Sequence, residues 1–215
     1  MIWIFYVLAA ATLISVAAVL AKFGTKKADS AVAAGLFITL ILIGNFLLLG
    51  KKLSISQVTG FGKSTWISIF LGGLAIGVAV LFFFKSVNED RITHVVPIIQ
   101  LRTIFVFFFG VVFWHNMLGV YSIIAIVCCF VGIVVIIFGD TKNLKWLAYA
   151  LISTVFFVVE DILGSIWGHG VSSGVLLFYK LIIAAIFIWA VSIASGSGKK
   201  LRAISFLDGK YISNS

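Results

Sequence analysis

What most constrains this chain is a succession of apolar runs. Wound as a helix, each is about as long as the hydrocarbon core of a bilayer is thick. They occupy roughly 2–22, 31–50, 66–86, 93–113, 119–139, 146–168 and 172–194. The connections, KFGTKKADS, GKKLSISQVTGFGKS, KSVNEDR, HNMLG, GDTKNLK and HGVSS, are short and carry the turn and charge signals. In lipid only helices and closed barrels satisfy every backbone N–H and C=O, and runs this long and continuous are helices. The pattern predicts an all-α fold: a polytopic membrane helix bundle of about seven transmembrane helices. The first run, MIWIFYVLAAATLISVAAVLAKFG, lacks a basic leader and outruns the apolar part of a signal peptide, so it is expected to stay as a helix. The tail over 196–215 is polar and loop-like.

Composition agrees. The chain is 62% hydrophobic and 11% charged, where a soluble domain is about half apolar and a quarter charged. The net charge of +9 does not point to nucleic acid, because the basic residues lie mainly between apolar runs. On one side, Lys51, Lys52 and Lys63 accompany the N-terminus and the even-numbered connections. On the other stand Lys22, Lys26, Lys27, Lys85, Arg91, Lys142, Lys145 and, in the tail, Lys199, Lys200, Arg202 and Lys210. Taken alone, this bias places the N-terminus outside and the tail inside.

Little points to catalysis or metal. Cys128 and Cys129 are adjacent within an apolar run and read as small hydrophobes rather than a disulfide framework. His94, His115 and His169 fall at or near helix ends with no carboxylate or cysteine at ligand spacing. SGSGKK lacks the first glycine and the final Ser/Thr of a phosphate loop, and no zinc-protease helix or nucleophile elbow is present. Neither enzyme activity nor a cofactor or metal is expected.

The chain contains an internal repeat. WIFYVLAAATLISVAAVLAKFG, from Trp3, matches WLAYALISTVFFVVEDILGSIWG, from Trp146. Each copy is followed by a polar turn, a second apolar run, and then KKLSIS from Lys51 or KKLRAIS from Lys199. Five spans separate the two starts, and an odd number inverts the second copy, as in secondary transporters. The organisation expected is one five-helix repeat over 1–139, a partial second repeat of two helices over 144–195, and the tail.

These features resemble the EamA-type transporters of the drug/metabolite transporter superfamily, ten-helix proteins built of two inverted five-helix repeats. The resemblance rests on AKFG closing the first helix, GKKLS after the second, GGLAIG in the third, and FFFKSVNEDRITHVVPIIQL at the third-to-fourth junction. Gly119 and Gly132 of LGVYSIIAIVCCFVGIVVIIFG fit the fifth. Ile99 and Gln100 stand where related sequences often carry a polar or charged pair, and Asn116 where they usually have glutamate. The final three helices of that plan are absent, and the family generally keeps its N-terminus in the cytoplasm, against the charge bias. The resemblance implies a carrier of a small organic metabolite or drug-like solute, seated in the cell (plasma or inner) membrane. Its partners would be that solute and the lipid bilayer. Two other readings stay open: a truncated or partial protein acting only in a homo-oligomer without transport of its own, and an unrelated seven-helix receptor or membrane enzyme.

Three groups of residues are candidates for function. His94, Pro97, Gln100 and Thr103 share one face at three-residue spacing, in the helix with the chain's single proline. Such a polar, proline-bearing face inside the membrane is expected to line a water-filled cavity, with the first and third helices opposite. The alternative is a kinked packing helix. Arg102 points about 200° away from Gln100, roughly 13 Å deep, to snorkel or pair with a carboxylate. Glu160, Asp161 and Lys180 lie at equal distance, about 12 Å, from the turn between the last two helices. Those helices are expected to be antiparallel neighbours, so the three charges meet. The result is either a structural ion pair or a proton- or cation-responsive site, since two adjacent carboxylates do not both ionise easily in dry surroundings. Gly73 with Gly77, and Gly164 with Gly168, read as close helix contacts.

Overall fold

The computed structural model describes residues 29–49, 60–90, 92–114, 119–139, 145–168 and 170–196. Within them lie six helices: α1 (Ser30–Leu49), α2 (Lys63–Glu89), α3 (Ile92–Trp114), α4 (Val120–Gly139), α5 (Lys145–Trp167) and α6 (Ser173–Ala194). These are the second to seventh expected spans, and five of them, α1, α2, α3, α5 and α6, are long and apolar enough to cross a membrane. The first expected span, the Trp3 copy of the repeat, His115, Asn116, His169 and the tail beyond Gly196 lie outside the described residues.

α2 runs 27 residues, about 40 Å, and so overhangs a hydrocarbon core about 30 Å thick. Its polar ends, Lys63 and Glu89, are exposed. α3 continues through Pro97. Near a helix start a proline forfeits one ladder bond, here to the Thr93 carbonyl, and the rest of the ladder survives.

α2 sits in the middle. It packs most extensively on α5, then on α6; α1 lies on α6, α3 on α5, and α4 on α3. Leu40, Leu48, Phe108, Val120 and Ile186 face outward, on a surface suited to lipid. Lipid tails are as apolar as leucine, so burying such side chains against protein gains little, and close contact and polar bonds must hold the helices instead. Both appear along α2. Toward α6, a methyl group on Gly73 would stand 2.6 Å from Ile183 Cβ and 2.7 Å from the Lys180 carbonyl oxygen, and one on Gly77 would stand 2.6 Å from the Phe187 ring. The glycines therefore set the distance between these two helices, which run parallel.

Toward α5, hydroxyl groups cross the interface. Ser68 donates to the Leu163 carbonyl at 3.0 Å, Ser153 to the Ala79 carbonyl at 2.8 Å, and Ser86 to the Trp146 carbonyl at 2.8 Å. Numbers rise on α2 as they fall on α5, so the pair is antiparallel. The three bonds extend from Ser68 to Ser86, about 27 Å along the axis. Between α1 and α6, the Trp189 indole donates to Thr39 Oγ1 at 3.1 Å, and Thr39 donates to the Gly35 carbonyl at 2.7 Å. Apolar contacts fill the gaps. Ile38, Val80, Phe84, Leu181 and Ile188 form one cluster, and Val87, Val95, Ile98, Trp146 and Ala150 a second at the far end of α2.

One expectation is corrected. α5 and α6, joined by a short turn in which Gly170 takes a left-handed φ of 82°, are not closely packed neighbours. α2 packs strongly against both of them, and its small-residue face enters where the two would otherwise meet.

Gly73→Ala should therefore lower the thermal midpoint of the detergent-solubilised protein, by an overpacking penalty of about 1–3 kcal/mol. Gly132→Ala, where an added methyl meets nothing within 4 Å, should leave it unchanged. Melting followed by fluorescence-detected size exclusion checks both.

Candidate functional site

Lys180 enters from α6 as one of the largest fully buried side chains, 2% exposed. It reaches Glu160 of α5, with Nζ 2.7 Å from Oε1. Glycine opens the route. A methyl on Gly72 of α2 would stand 2.8 Å from Lys180 Cε, and one on Gly164 of α5 3.0 Å from Nζ. The lysine stem thus passes over a bare stretch of α2 and ends beside a bare stretch of α5. Lys180 is seven residues from the start of α6 and Glu160 seven from the end of α5, which puts both about 11 Å below the turn. At that depth neither charge is tolerable alone.

Asp161 is not part of that ion pair. One residue along a helix is a rotation of about 100°, and while Glu160 turns to α6, Asp161 turns to α3. There it borders a groove of about 410 Å³ together with Arg102, Thr103, Val106, Phe107, Gly110 and Val111. Of the three charges expected to meet, Lys180 and Glu160 form the ion pair, and Asp161 borders the groove within range of both and of Arg102. The Arg102 guanidinium lies 5.1 Å from the centre of the Phe157 ring, within range of a cation–π contact. Phe157 is one turn before Asp161 on the same helix. Thr154 fixes the α3–α5 contact below the groove: its hydroxyl lies 2.8 Å from the Ala150 carbonyl and 3.2 Å from that of Ile98.

The four expected cavity residues separate. Thr103 borders the groove. His94 sits in the first turn of α3, its Nδ1 2.8 Å from Asp90 Oδ2, with its ring near Trp146. Pro97 is half-buried and Gln100 exposed, and neither borders the groove. The reason is rotational. The groove residues of α3 span an arc centred about 90° past Arg102. On the same wheel Gln100 is about 70° from that centre and a turn too early, Pro97 about 130° away, and His94 about 170°. Equal three-residue spacing drifts around a helix of 3.6 residues per turn.

Of the glycines singled out by spacing, Gly73 and Gly77 lie against α6, Gly164 lies under the Lys180 ammonium, and Gly168 lies near Leu176. Gly72, which clears the lysine's path, was missed because four-residue spacing selects its neighbour Gly73. The hydroxyls of Ser68, Ser86, Ser153 and Thr154 were also missed. Their signal was the presence of small polar residues inside apolar runs. Among the described residues no group of three or more His, Cys, Asp or Glu could hold a metal ion.

The model of the EamA-like transporter family matches residues 1–138 of the chain. No curated protein and no solved structure matches it.

Removing one partner of the buried pair leaves a charge uncompensated, at a cost of about 3–5 kcal/mol. Lys180→Met should sharply reduce the yield of monodisperse protein, and Lys180→Met combined with Glu160→Gln should recover most of it. Equal yield of the single and double variants would show that the pair is not structural.

Proposed function

The chain belongs to the EamA-like transporter family, which makes it an integral membrane protein of the drug/metabolite transporter class, and we propose that it carries a small organic solute along the groove between α3 and α5. The observation that carries this reading is a groove inside the spans bordered by both a guanidinium and a carboxylate. Charged side chains at membrane depth are retained where they face protein or a watered pathway. Lys180 and Glu160 answer each other, so they need no pathway. Arg102 and Asp161 face a space of about 410 Å³, large enough for a small ligand. Thr103 supplies a hydroxyl there, and Val106, Phe107 and Val111 supply apolar walls.

The domain plan follows the same reading: 1–139 as a five-helix repeat and 144–195 as the start of an inverted second. α1 and α6, the second spans of the two copies, run antiparallel and bond to each other through Trp189 and Thr39, as an inverted pair would. The membrane is the cell membrane. The partners are the solute and lipid, and a homo-oligomer is compatible with the outward apolar faces.

The test is uptake into proteoliposomes, scanned across amino acids, nucleosides and cationic dyes. At least one class should accumulate with the native chain. Val106→Trp, which fills the groove, should cut that uptake by about tenfold or more while the size-exclusion profile and melting midpoint hold. Unchanged uptake by a folded Val106→Trp protein would remove the groove from the pathway.

A further inference from the structure

We infer that the pocket between the starts of α2 and α6 binds a phosphate group at the membrane surface, that of an anionic phospholipid headgroup. The pocket shares no residue with the α3–α5 groove, so the inference does not rest on transport.

Two helix starts open onto one space. Thr65 of α2 and Val175 of α6, each 4% exposed, border a pocket of about 320 Å³ together with Phe61, Gly62, Gly170 and Ser172. The first ladder bonds run from the Trp66 N–H to the Gly62 carbonyl and from the Leu176 N–H to that of Ser172. The N–H groups of 63–65 and 173–175 therefore stand ahead of both ladders. Neither Gly62 nor Ser172 closes its helix end with a side-chain bond. The positive ends of two parallel helix dipoles thus meet at one place, with backbone donors on each.

Thr65 is the second, independent sign of a ligand. A hydroxyl this deep ordinarily has a partner, as that of Ser68, one turn further along α2, has in the Leu163 carbonyl. The Thr65 hydroxyl has none among the described residues, and the pocket is the space it borders.

The sign of the ligand's charge follows from what surrounds it. The sequence has no Asp or Glu over 30–88 or 162–207. Glu160, well below the pocket, is already paired with Lys180. Lys63, exposed in the first turn of α2, adds a positive charge. Donors from two helices suit a ligand with several acceptor oxygens, and phosphate is such a group. The neighbours suit a lipid. The Phe61 ring lies 5.9 Å from that of Trp66 and 5.7 Å from that of Tyr179, and tryptophan and tyrosine belong at headgroup level. Below them Ile67, Phe70 and Leu71 continue exposed along α2, a path for acyl chains. A soluble phosphate shares the headgroup's chemistry, and the experiment separates the two sources.

The experiment measures binding to the purified full chain in neutral detergent, by native mass spectrometry and by the melting midpoint. The probes are dioctanoylphosphatidylglycerol, its phosphate-free counterpart dioctanoylglycerol, and inorganic phosphate. The native chain should hold the phospholipid about tenfold or more tighter than the diacylglycerol, the scale of hydrogen bonds to a charged group. Gly62→Asp sets a carboxylate at the start of α2, where it caps the helix, and a side chain there meets only Ser64 Oγ, at 3.8 Å. Its lipid-free melting midpoint should hold or rise while phospholipid binding falls about tenfold or more, since like charges now oppose each other. Thr65→Val keeps the shape and removes the hydroxyl. It should weaken the phospholipid and leave the diacylglycerol unchanged, whereas a packing role alone would weaken both. If inorganic phosphate raises the midpoint of the native chain but not of Gly62→Asp, and the phospholipid shows no advantage, the phosphate site stands and its source is soluble. Equal binding of the two lipids with no response to inorganic phosphate overturns the inference. So does an undiminished phospholipid preference in Gly62→Asp or, should that variant fail to fold, in Thr65→Val.

Discussion

α2 can come so close to α6 only because Gly72, Gly73 and Gly77 place no side chain at the contact, and the rest of the arrangement hangs on that contact. In water the burial of leucine and phenylalanine would hold three helices together. In lipid it gains little, because the tails outside are as apolar as the neighbours inside. What remains is the closeness that glycine allows and the bonds that polar groups cannot make with lipid. Gly73 and Gly77 bring α2 against Ile183 and Phe187 of α6. On the other side Ser68, Ser86 and Ser153 tie α2 to α5 along most of a bilayer's thickness. Interhelical bonds of this kind contribute only about 0.6 kcal/mol each on average, so their value lies as much in fixing register as in strength.

The chemistry of the interior follows from that seat. With α2 between them, α5 and α6 are held far enough apart that an ordinary contact would not join Glu160 to a residue of α6. Lysine has the reach, and Gly72 and Gly164 give it passage. Once Glu160 is drawn toward α6, helical rotation alone sends Asp161 the other way, into the space it shares with Arg102. Two neighbouring acids thereby acquire different surroundings: one is closed in an ion pair and the other opens onto a groove.

Much of the fold was legible beforehand. A chain with so few charges and such regular apolar lengths has no soluble solution, and the six described helices begin and end within a few residues of where the turn signals place them. The pairing of Lys180 with Glu160 was within reach as well, because equal distance from a turn fixes equal depth. Direction around the axis was not. The candidate face of His94, Pro97, Gln100 and Thr103 dispersed because depth and rotation both shift along it, so that Thr103 alone met the groove. Arg102, placed on the opposite side from Gln100, proved to flank the same groove. The arc that matters lies between them, and it is defined by where α5 sits.

By itself, then, the sequence determined what must be buried in lipid, how long each span is, and at what depth each charge lies. All three depend on distance along the chain and on a fixed rise per residue. The tertiary structure alone decided that α2 packs against both α5 and α6, that Glu160 and not Asp161 pairs with Lys180, and that Arg102 and Asp161 border one groove. Those outcomes depend on which helices touch and at what rotation, and that is settled by contacts between residues far apart in the chain, such as Gly73 with Ile183 and Ser68 with Leu163.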